Sequence, residues 1–324
     1  MEKQNILKER GYDKLIVDKN YFPGWVRKSF TFTIDDGNIP LDTKFINIVK
    51  PYGIIGTFNL SSPKLESYTS EFYRELYRGY GISNHCKYHP YVLTEDKMQP
   101  ICDEKFDPAT AKRDHLYKTG REGVYRYCIR GEYWGYAAEP EAYCKLADDC
   151  LEELNSVFGE NSVNTFVWPY CEQKNDEVLD YITNKAGYYA VRKTGSLKDT
   201  TNFSLPSDRA HWSYNINHVE LLETAETYEK YPDDGELKFF CFGLHSHDYE
   251  RGNCWYLLED LCKKYGNRPE DFYYASVEDI FRYEDAVKSL VISDGFVENP
   301  TDITLYIKID GKRIKLTPKF KYII

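Results

Sequence analysis

The sequence predicts an α/β fold in which helices cover a parallel β-sheet. Segments of strand character and segments of helix character alternate along most of the 324 residues, and that alternation is typical of parallel sheets. Polar side chains follow the carboxyl ends of several predicted strands, and in such folds these ends meet on one face. After Leu290 the sequence changes to a short alternating segment. We therefore expect a large α/β domain at residues 1–290 and a small β appendage at residues 291–324.

Apolar alternation and helical periodicity predict the individual elements. The predicted strands are 30–34, 54–60, 82–85, 164–168, 188–191, 237–244 and 272–275. The predicted helices are 41–50, 66–80, 139–158, 176–186, 219–231, 255–265 and 277–290. Residues 91–131 have weak periodicity and many charges, so they are predicted to form a long insertion over one face. Residues 302–316 predict a hairpin with a type I′ turn at Asp310-Gly311, packed on the rim of the larger domain.

Composition excludes some classes of function. The chain has 42 basic and 52 acidic residues and a formal charge of −10, with no Lys/Arg run, which argues against a nucleic-acid partner. Its 30 Tyr, 17 Phe and 5 Trp would suit a sugar-binding cleft, although core packing accounts for most such rings. We find neither an apolar stretch of the ~20 residues that a membrane span needs nor a signal-peptide core. Nine scattered cysteines without a CxxC pair favour a reducing, cytoplasmic environment.

The first candidate motif is Thr33-Ile34-Asp35-Asp36-Gly37, which ends an apolar alternating run. Two adjacent carboxylates are costly at a strand end unless a cation lies beside them. Asp-Gly is also a common turn pair, and Asp is a common helix N-cap, so the motif alone favours an ordinary turn. In the chemical interpretation, one carboxylate binds a metal ion and the other takes a proton from water.

The second candidate motif, residues 84–90, contains His85 and His89 at a spacing of four. Two histidines and a carboxylate are the ligand types of a catalytic zinc site that keeps one position open for water. The same set also suits cobalt, nickel or iron. We therefore expect one divalent ion, preferably zinc, and we interpret Cys86 as a small packed side chain.

Two more clusters follow predicted strands. Pro169-Tyr170 is explained by a proline that ends a strand, but the Tyr170 backbone N–H is also a candidate donor to an oxyanion. His245 and His247 follow a strongly apolar strand, where a histidine suits the role of a general acid. In an extended chain both histidines point to the same side, so the choice between them stays open. We prefer His245, with Asp248 as the carboxylate that orients it.

Together these residues resemble the polysaccharide deacetylases, the NodB-homology group of carbohydrate esterases. The first family motif, T-F-D-D-G, appears as residues 33–37, and the second, H-[S/T]-x-x-H-P, appears as residues 85–90. The third, R-x-P-Y, survives as Val167-Trp168-Pro169-Tyr170. The final histidine motif is similar to Leu244-His245. The motifs extend over most of the chain.

The resemblance implies a distorted (β/α) barrel and the metal-dependent removal of N- or O-acetyl groups from an acetylated carbohydrate. By motif, the metal ligands would be Asp36, His85 and His89. Asp35 would be the catalytic base, His245 would protonate the leaving group, and the Tyr170 N–H would stabilise the oxyanion. The candidate substrate contacts are Trp168, Trp212 and His247.

The chain departs from the family pattern at the third motif. Val167 replaces the arginine that in the family contacts the catalytic aspartate, which leaves the control of Asp35 unexplained. Trp212 is the candidate match to the family's Asp–Trp motif. A soluble sugar, a nucleotide- or lipid-linked precursor or a short oligosaccharide is the expected substrate. The alternatives are a metal-dependent hydrolase of a small non-sugar amide and a barrel that binds a glycan without chemistry.

Overall fold

The computed structural model describes residues 16–129, 131, 133–171, 175–192, 203–206, 220–243, 245–293 and 295–323. The described strands are, in chain order, β1 (Val17–Tyr21), β2 (Lys28–Ile34), β3 (Thr57–Leu60), β4 (Gly81–Asn84), β5 (Pro90–Val92), β6 (Ile101–Cys102), β7 (Leu116–Lys118), β8 (Val124–Ile129), β9 (Tyr133–Ala138), β10 (Thr165–Val167), β11 (Ala190–Arg192), β12 (Lys238–Phe242), β13 (Phe272–Tyr273), β14 (Val291–Ser293), β15 (Phe296–Glu298), β16 (Leu305–Ile309), β17 (Lys312–Leu316) and β18 (Lys321–Ile323). The described helices are α1 (Ile39–Val49), α2 (Ser70–Leu76), α3 (Pro140–Phe158), α4 (Asp176–Asp180), α5 (Leu221–Glu229), α6 (Ser246–Arg251), α7 (Trp255–Tyr265) and α8 (Val277–Lys288).

A parallel sheet of seven strands organises the molecule and confirms the predicted fold class, a distorted (β/α) barrel. The strand order is β11-β10-β4-β3-β2-β12, and β13 also pairs with β2. Strands β2 and β12 are buried along almost their whole length, which explains their continuous apolar sequence. Because all seven strands run in one direction, their carboxyl ends lie on the same face of the sheet.

The helices pack their apolar sides on this sheet. Helix α1 begins at Asn38, whose side chain accepts a hydrogen bond from the Leu41 N–H at 3.4 Å. It buries Phe45 against Phe32 of β2, with ring centres 4.9 Å apart. Helix α3 ends at Phe158 and is followed by Gly159, as the sequence predicts. No helix among these described residues combines the length and the apolar character that crossing a membrane requires.

Residues 90–138 form a second sheet, which we call the insertion sheet, with the strand order β5-β9-β8-β7-β6. The sequence predicts an insertion at 91–131 but none of these strands. The sheet has its own small apolar cluster, which includes Leu116, Ile129 and Ala137. Tyr170, from the carboxyl end of the main sheet, packs against this cluster. The insertion sheet therefore lies beside the face where the candidate site residues are expected.

The carboxy-terminal strands form two small sheets, β1-β16-β17 and β14-β15-β18. The hairpin between β16 and β17 is confirmed, and positive φ angles of 49° at Asp310 and 76° at Gly311 make its turn type I′. Leu305 and Ile307 are buried in one cluster with Phe281 of α8. The sequence did not predict β1, which pairs with β16. The division of the chain at residue 290 stays a prediction.

Several predicted boundaries need correction. The helix predicted at 66–80 covers only Ser70–Leu76. The helix predicted at 176–186 ends at Asp180 and continues as one π-helical turn, Tyr181–Lys185. His245 and His247 were placed on one side by assuming an extended chain, but residues 246–251 form helix α6, which the sequence did not predict. Trp212 lies outside the described residues.

Candidate active site and metal centre

The two aspartates after β2 lie in different surroundings because the chain turns sharply between them. Asp36 has a φ of 79°, in the left-handed region that non-glycine residues seldom adopt. The turn leaves Asp35 2% exposed inside the sheet, whereas the Asp36 side chain is 26% exposed at the surface of a cleft. Such strained backbone is often found at functional sites. The adjacent carboxylates can therefore perform different tasks.

Asp36 and the histidines of the second motif come together as a set of metal ligands. One oxygen of Asp36, Oδ1, is 3.6 Å from His85 Nε2 and 3.4 Å from His89 Nε2. The three ligand atoms lie within 4.8 Å of one another. This is a carboxylate and two imidazoles in an arrangement that can hold a divalent ion.

His85 provides the test of whether a metal fits. Its Nδ1 lies 2.8 Å from the backbone carbonyl of Val167, which can only accept, so Nδ1 carries the proton. Its Nε2 therefore presents a lone pair, yet that atom is buried and has no hydrogen-bond partner among the described residues. A buried acceptor without a partner is costly, and a cation between His85 and Asp36 would satisfy it. The donor set therefore fits a metal ion.

The loop that carries His89 is also strained. Cys86, Tyr88 and His89 have φ angles of 58°, 65° and 50°. The His89 ring lies 4.6 Å from the His85 ring and 4.4 Å from the Tyr170 ring. Burial lowers the pKa of His89 to about 3, which keeps the imidazole neutral, the form that binds metals. The Cys86 thiol is fully buried, and burial raises its pKa well above the usual value, in agreement with a packed side chain.

A second pair of histidines faces the other oxygen of Asp36. His245 Nε2 and His247 Nδ1 lie 3.9 Å and 3.7 Å from Asp36 Oδ2. From the sequence, both histidines were placed on one side of an extended chain, and that argument was wrong. His247 belongs to helix α6, and His245 directly precedes the helix. Both side chains nevertheless reach the cleft. Asp36 is thus surrounded by four imidazoles, two at each carboxylate oxygen.

The two later histidines differ in their hydrogen bonding. His245 Nδ1 lies 2.9 Å from Asp248 Oδ2, so the predicted orienting carboxylate is in place. Burial opposes protonation, but Asp248 together with Asp35 and Asp36 raises the pKa of His245. Burial and the neighbouring His245 lower the pKa of His247. The geometry and the charges thus favour His245 as the histidine that holds a proton.

Arg192 was not identified from the sequence, and it provides the contact with Asp35 that the absent motif arginine would make. Its side chain is 1% exposed, and its guanidinium forms an ion pair with the Asp35 carboxylate. Val167 and Arg192 are direct partners in the parallel pairing of β10 and β11. The guanidinium therefore reaches the aspartate from the strand next to the one where the family has its arginine.

Asp35 is held by further polar contacts. Asn59 donates a hydrogen bond of 2.6 Å to Asp35 Oδ1, and it also donates to Thr33 Oγ1 at 2.7 Å. Burial alone would raise the pKa of Asp35, but the charges of Arg192 and His85 lower it below the usual range. The carboxylate therefore stays ionised and can accept a proton.

A cavity of about 520 Å³ opens beside the metal centre. Residues of the metal centre and of the insertion sheet share its wall: Asp36, His89, Tyr170, Arg126, Trp134 and Tyr136. The sequence predicted no role for the last three, because the insertion showed no clear periodicity. The aromatic rings of Trp134 and Tyr136 give the cleft surfaces on which a sugar ring can stack.

The other predicted substrate contacts have different outcomes. The structure places Trp168 in the core, 1% exposed and packed against Phe166 with ring centres 5.3 Å apart, so its side chain does not reach the cleft. This corrects the expectation, because Trp168 belongs to a buried apolar cluster. Trp212 falls outside the described residues. Tyr170 lines the cavity, and the role of its backbone N–H stays a prediction.

Solved structures of low sequence identity resemble this chain. A candidate polysaccharide deacetylase from Mycobacterium smegmatis is 12% identical, with a TM-score of 0.50, over 85% of this chain and 98% of the other. The Xyl-CE4 domain of a multidomain xylanase from the hindgut metagenome of Trinervitermes trinervoides is 12% identical, with a TM-score of 0.45, over 81% and 92%. The chitin deacetylase of Colletotrichum lindemuthianum is 15% identical, with a TM-score of 0.40, over 81% and 88%.

The first of these likenesses supports the barrel fold. No curated protein sequence matches the chain. The sequence model of one family, described as polysaccharide deacetylase, matches residues 26–191, just over half of the chain. That match contains both the two aspartates and the two histidines of the metal centre, and it shows that the chain belongs to the polysaccharide deacetylase family.

Proposed function

We propose that this protein is a metal-dependent hydrolase that removes N- or O-acetyl groups from a carbohydrate. The observation that carries the proposal is the buried Nε2 of His85, which has no hydrogen-bond partner in the described part of the chain and faces Asp36 beside His89. Membership of the family supports a hydrolase that acts on acetylated carbohydrates. The choice between amide and ester bonds is left to the substrate screen below.

The metal ligands in this proposal are Asp36, His85 and His89. Zinc suits this donor set, and cobalt, nickel or iron are the alternatives. The ion would polarise the acetyl carbonyl and lower the pKa of a water molecule, so that it becomes a nucleophile near neutral pH. The carbonyl of Val167 would orient His85 through the hydrogen bond to Nδ1.

The remaining residues would handle protons and charge. Asp35 would take the proton of the attacking water at its carboxylate, which Arg192 keeps ionised. His245 would deliver a proton from Nε2 to the sugar nitrogen or oxygen as the acetyl group leaves, while Asp248 holds its Nδ1. The backbone N–H of Tyr170 would donate to the carbonyl oxygen as negative charge develops there.

The cleft supports a carbohydrate as the substrate. The rings of Tyr88, Trp134 and Tyr136 line it next to the metal ligand His89. Aromatic faces provide apolar contact for the C–H face of a sugar, and the hydroxyl groups of the sugar can form hydrogen bonds with polar groups of the cleft. A cytoplasmic location, expected from the cysteine content, belongs to this proposal and would limit the substrate to soluble sugars or precursors.

The test combines metal analysis with acetate release. We expect about one metal ion per chain in the wild type, and loss of that metal in the double variant His85→Ala/His89→Ala. His115→Ala is the matched control, because His115 pairs with Asp114 in the insertion. Absence of metal from the wild type, even after zinc or cobalt is offered, would overturn the proposed metal centre.

The same samples test the chemistry. Acetate release from N- and O-acetylated sugars should stop when a chelator removes the metal. Asp35→Asn should keep the metal and lose nearly all activity, since losses of about 10²–10⁴ are typical when a general base is removed. Normal turnover by that variant would contradict the assigned base. Faster hydrolysis of small non-sugar amides than of any acetylated sugar would instead favour the amide hydrolase.

A further inference from the structure

The wall of the cavity formed by the insertion sheet contains an arginine that has no counter-charge among the described residues. Arg126 is on β8 and lines the same cavity as the metal ligands Asp36 and His89. Its Nε is buried and has no hydrogen-bond partner within the described part of the chain. Among those same residues, no ion pair includes Arg126. A buried N–H donor without an acceptor is costly, and a ligand with an acceptor oxygen would satisfy it.

Two aromatic rings hold the guanidinium group in place. The guanidinium carbon is 4.5 Å from the ring centre of Tyr136 and 4.9 Å from that of Phe106. Contacts with ring faces stabilise the cation, but they do not neutralise it or satisfy its N–H groups. The N–H donors of guanidinium lie in its plane, where they match the two oxygens of a carboxylate or a phosphate group. Arg126 is thus prepared for an anionic acceptor that the described residues do not provide.

Other arginines of the same region have hydrogen-bond or ion-pair partners among the described residues. Arg121, close to the start of β8, pairs with Asp149 at 3.2 Å. Arg113 donates to the backbone carbonyl of Gly131. The acidic residue Glu66 also lines the cavity, but it is exposed at the rim. Glu66 and Arg126 are both among the described residues, and they form no ion pair with each other. Arg126 therefore differs from the neighbouring arginines because its Nε has no partner among the described residues, whereas Arg121 and Arg113 have partners.

We propose that Arg126 binds an anionic group of the substrate, so that the acetylated carbohydrate carries a carboxylate or a phosphate. The inference rests on the proposed function, since it deepens the substrate class of the same cleft. A cavity of about 520 Å³ is within the range of small-molecule sites, about 300–1,000 Å³. One ligand can therefore reach both the metal centre and Arg126. The chain as a whole is acidic, at −10, so the attraction is local to this guanidinium.

The test measures binding and needs no turnover. The probes are glucuronate, its neutral methyl ester, glucose 6-phosphate and glucose, titrated into the metal-loaded protein by calorimetry. We expect at least one anion to bind at least about tenfold more tightly than its neutral counterpart, the range of a charge-assisted hydrogen bond. Preference for glucuronate would identify a sugar acid, and preference for glucose 6-phosphate would identify a sugar phosphate.

A metal ion also attracts anions, so variants are needed to show how much of the anion preference depends on Arg126. Arg126→Gln should abolish the preference, Arg126→Lys should keep part of it, and the control Arg121→Gln should keep all of it. Equal affinity of the wild type for anion and neutral sugar, or no binding of either anion, would overturn the inference. Full preference in Arg126→Gln would also overturn it. Acetate release by the wild type is measured separately, so failure of the deacetylase proposal is recognised independently.

Discussion

Arg192 supplies the buried Asp35 with its cationic partner. Val167 and Arg192 end neighbouring parallel strands and are paired in register, so their side chains leave the sheet on the same side. From there the guanidinium reaches Asp35 and also donates to Thr33 Oγ1 at 3.0 Å. The absence of an arginine at position 167 therefore does not leave Asp35 without a cationic partner.

This register predicts the result of an exchange. Arg192→Val should lower turnover by more than about tenfold and destabilise the fold by about 3–5 kcal/mol, because it leaves the buried Asp35 charge unpaired. Val167→Arg in that background should restore much of both, since the guanidinium returns on the paired residue. Turnover and thermal unfolding of the two variants are the measurements.

Two outcomes would contradict this role of Arg192. One is full activity of folded Arg192→Val. The other is a double variant that regains stability without regaining turnover, which would mean that the guanidinium must approach from β11. Arg192→Lys serves as the conservative variant, and it should fall between the wild type and Arg192→Val, because an ammonium keeps the charge but not the planar fork.

Most residues of the site could be predicted because they follow buried strands. That rule found Asp35, Asp36, His85 and His245, whose strands are apolar enough to recognise from sequence alone. It missed Arg192 by one residue, because the strand was predicted to end at residue 191, directly before this charged side chain. The strands of the insertion sheet mix aromatic, aliphatic, small and charged residues without a regular order, so no apolar period marked them.

At the scale of elements, the insertion sheet contributes to the site. It starts at Pro90, directly after the ligand His89, and it returns to the main fold before α3. Tyr91 of β5 packs on Tyr170 with ring centres 5.4 Å apart, and Tyr170 in turn contacts the His89 ring. The insertion sheet therefore supports the strained loop of the metal centre as well as forming a wall of the cleft.

Gly135 on β9 tests this coupling. A Cβ at this position would lie 2.3 Å from Ile129 Cδ1 and 3.1 Å from the Tyr170 hydroxyl, so alanine must displace one of them. We expect Gly135→Ala to cost about 1–3 kcal/mol of stability, the typical range for overpacking, and to lower turnover by moving Tyr170. Thermal unfolding and acetate release are the measurements.

The matched control is Gly120→Ala in the same insertion. Gly120 has a φ of 85°, and a Cβ at this position would have no described atom within 4 Å, so alanine strains only the local backbone. It should lower stability by about 1 kcal/mol without changing turnover. Equal loss of turnover in both variants would mean that general destabilisation, and not displacement of Tyr170, explains the effect of Gly135→Ala.

At the scale of the molecule, a network around Arg27 joins distant parts of the chain. Its guanidinium pairs with Asp18 of β1 at 2.6 Å and donates to the backbone carbonyl of Gly235 at 2.8 Å. Strand β1 in turn pairs with β16 of the carboxy-terminal sheets. The start of β2, the segment before β12 and the carboxy-terminal strands are thus connected through one arginine.

The charge of Asp18 makes this connection depend on pH. Burial opposes ionisation, but hydrogen bonds from Arg27 and Tyr21 lower the pKa of Asp18 in the folded protein. The stability it provides is therefore present above the unfolded pKa, about 3.9, and is lost as the pH falls through the lower folded pKa. Asp18→Asn should reduce the free energy of unfolding at pH 7, and its difference from the wild type should shrink below about pH 4.

Denaturant unfolding at several pH values measures this effect. Asp302→Asn is the matched control, because Asp302 pairs with Lys319 at 3.3 Å but is 88% exposed, and such pairs contribute little. A difference between wild type and Asp18→Asn that does not change with pH would show that the network depends on packing and not on the ionised carboxylate.

The position of Arg192 in the strand order means that metal binding and the contact between Arg192 and Asp35 depend on different strands. The proposed metal ligands follow β2 and β4, which have sheet neighbours on both sides, whereas Arg192 comes from β11, at the end of the described strand order. Local opening costs least where a segment has few contacts, and an outer strand has one strand neighbour where an inner strand has two. Under the proposed function, a molecule frayed at β11 would therefore retain its metal ion while Asp35, the proposed base, had lost the guanidinium of Arg192. Metal content would then overstate the fraction of competent enzyme in an ageing or mildly heated sample.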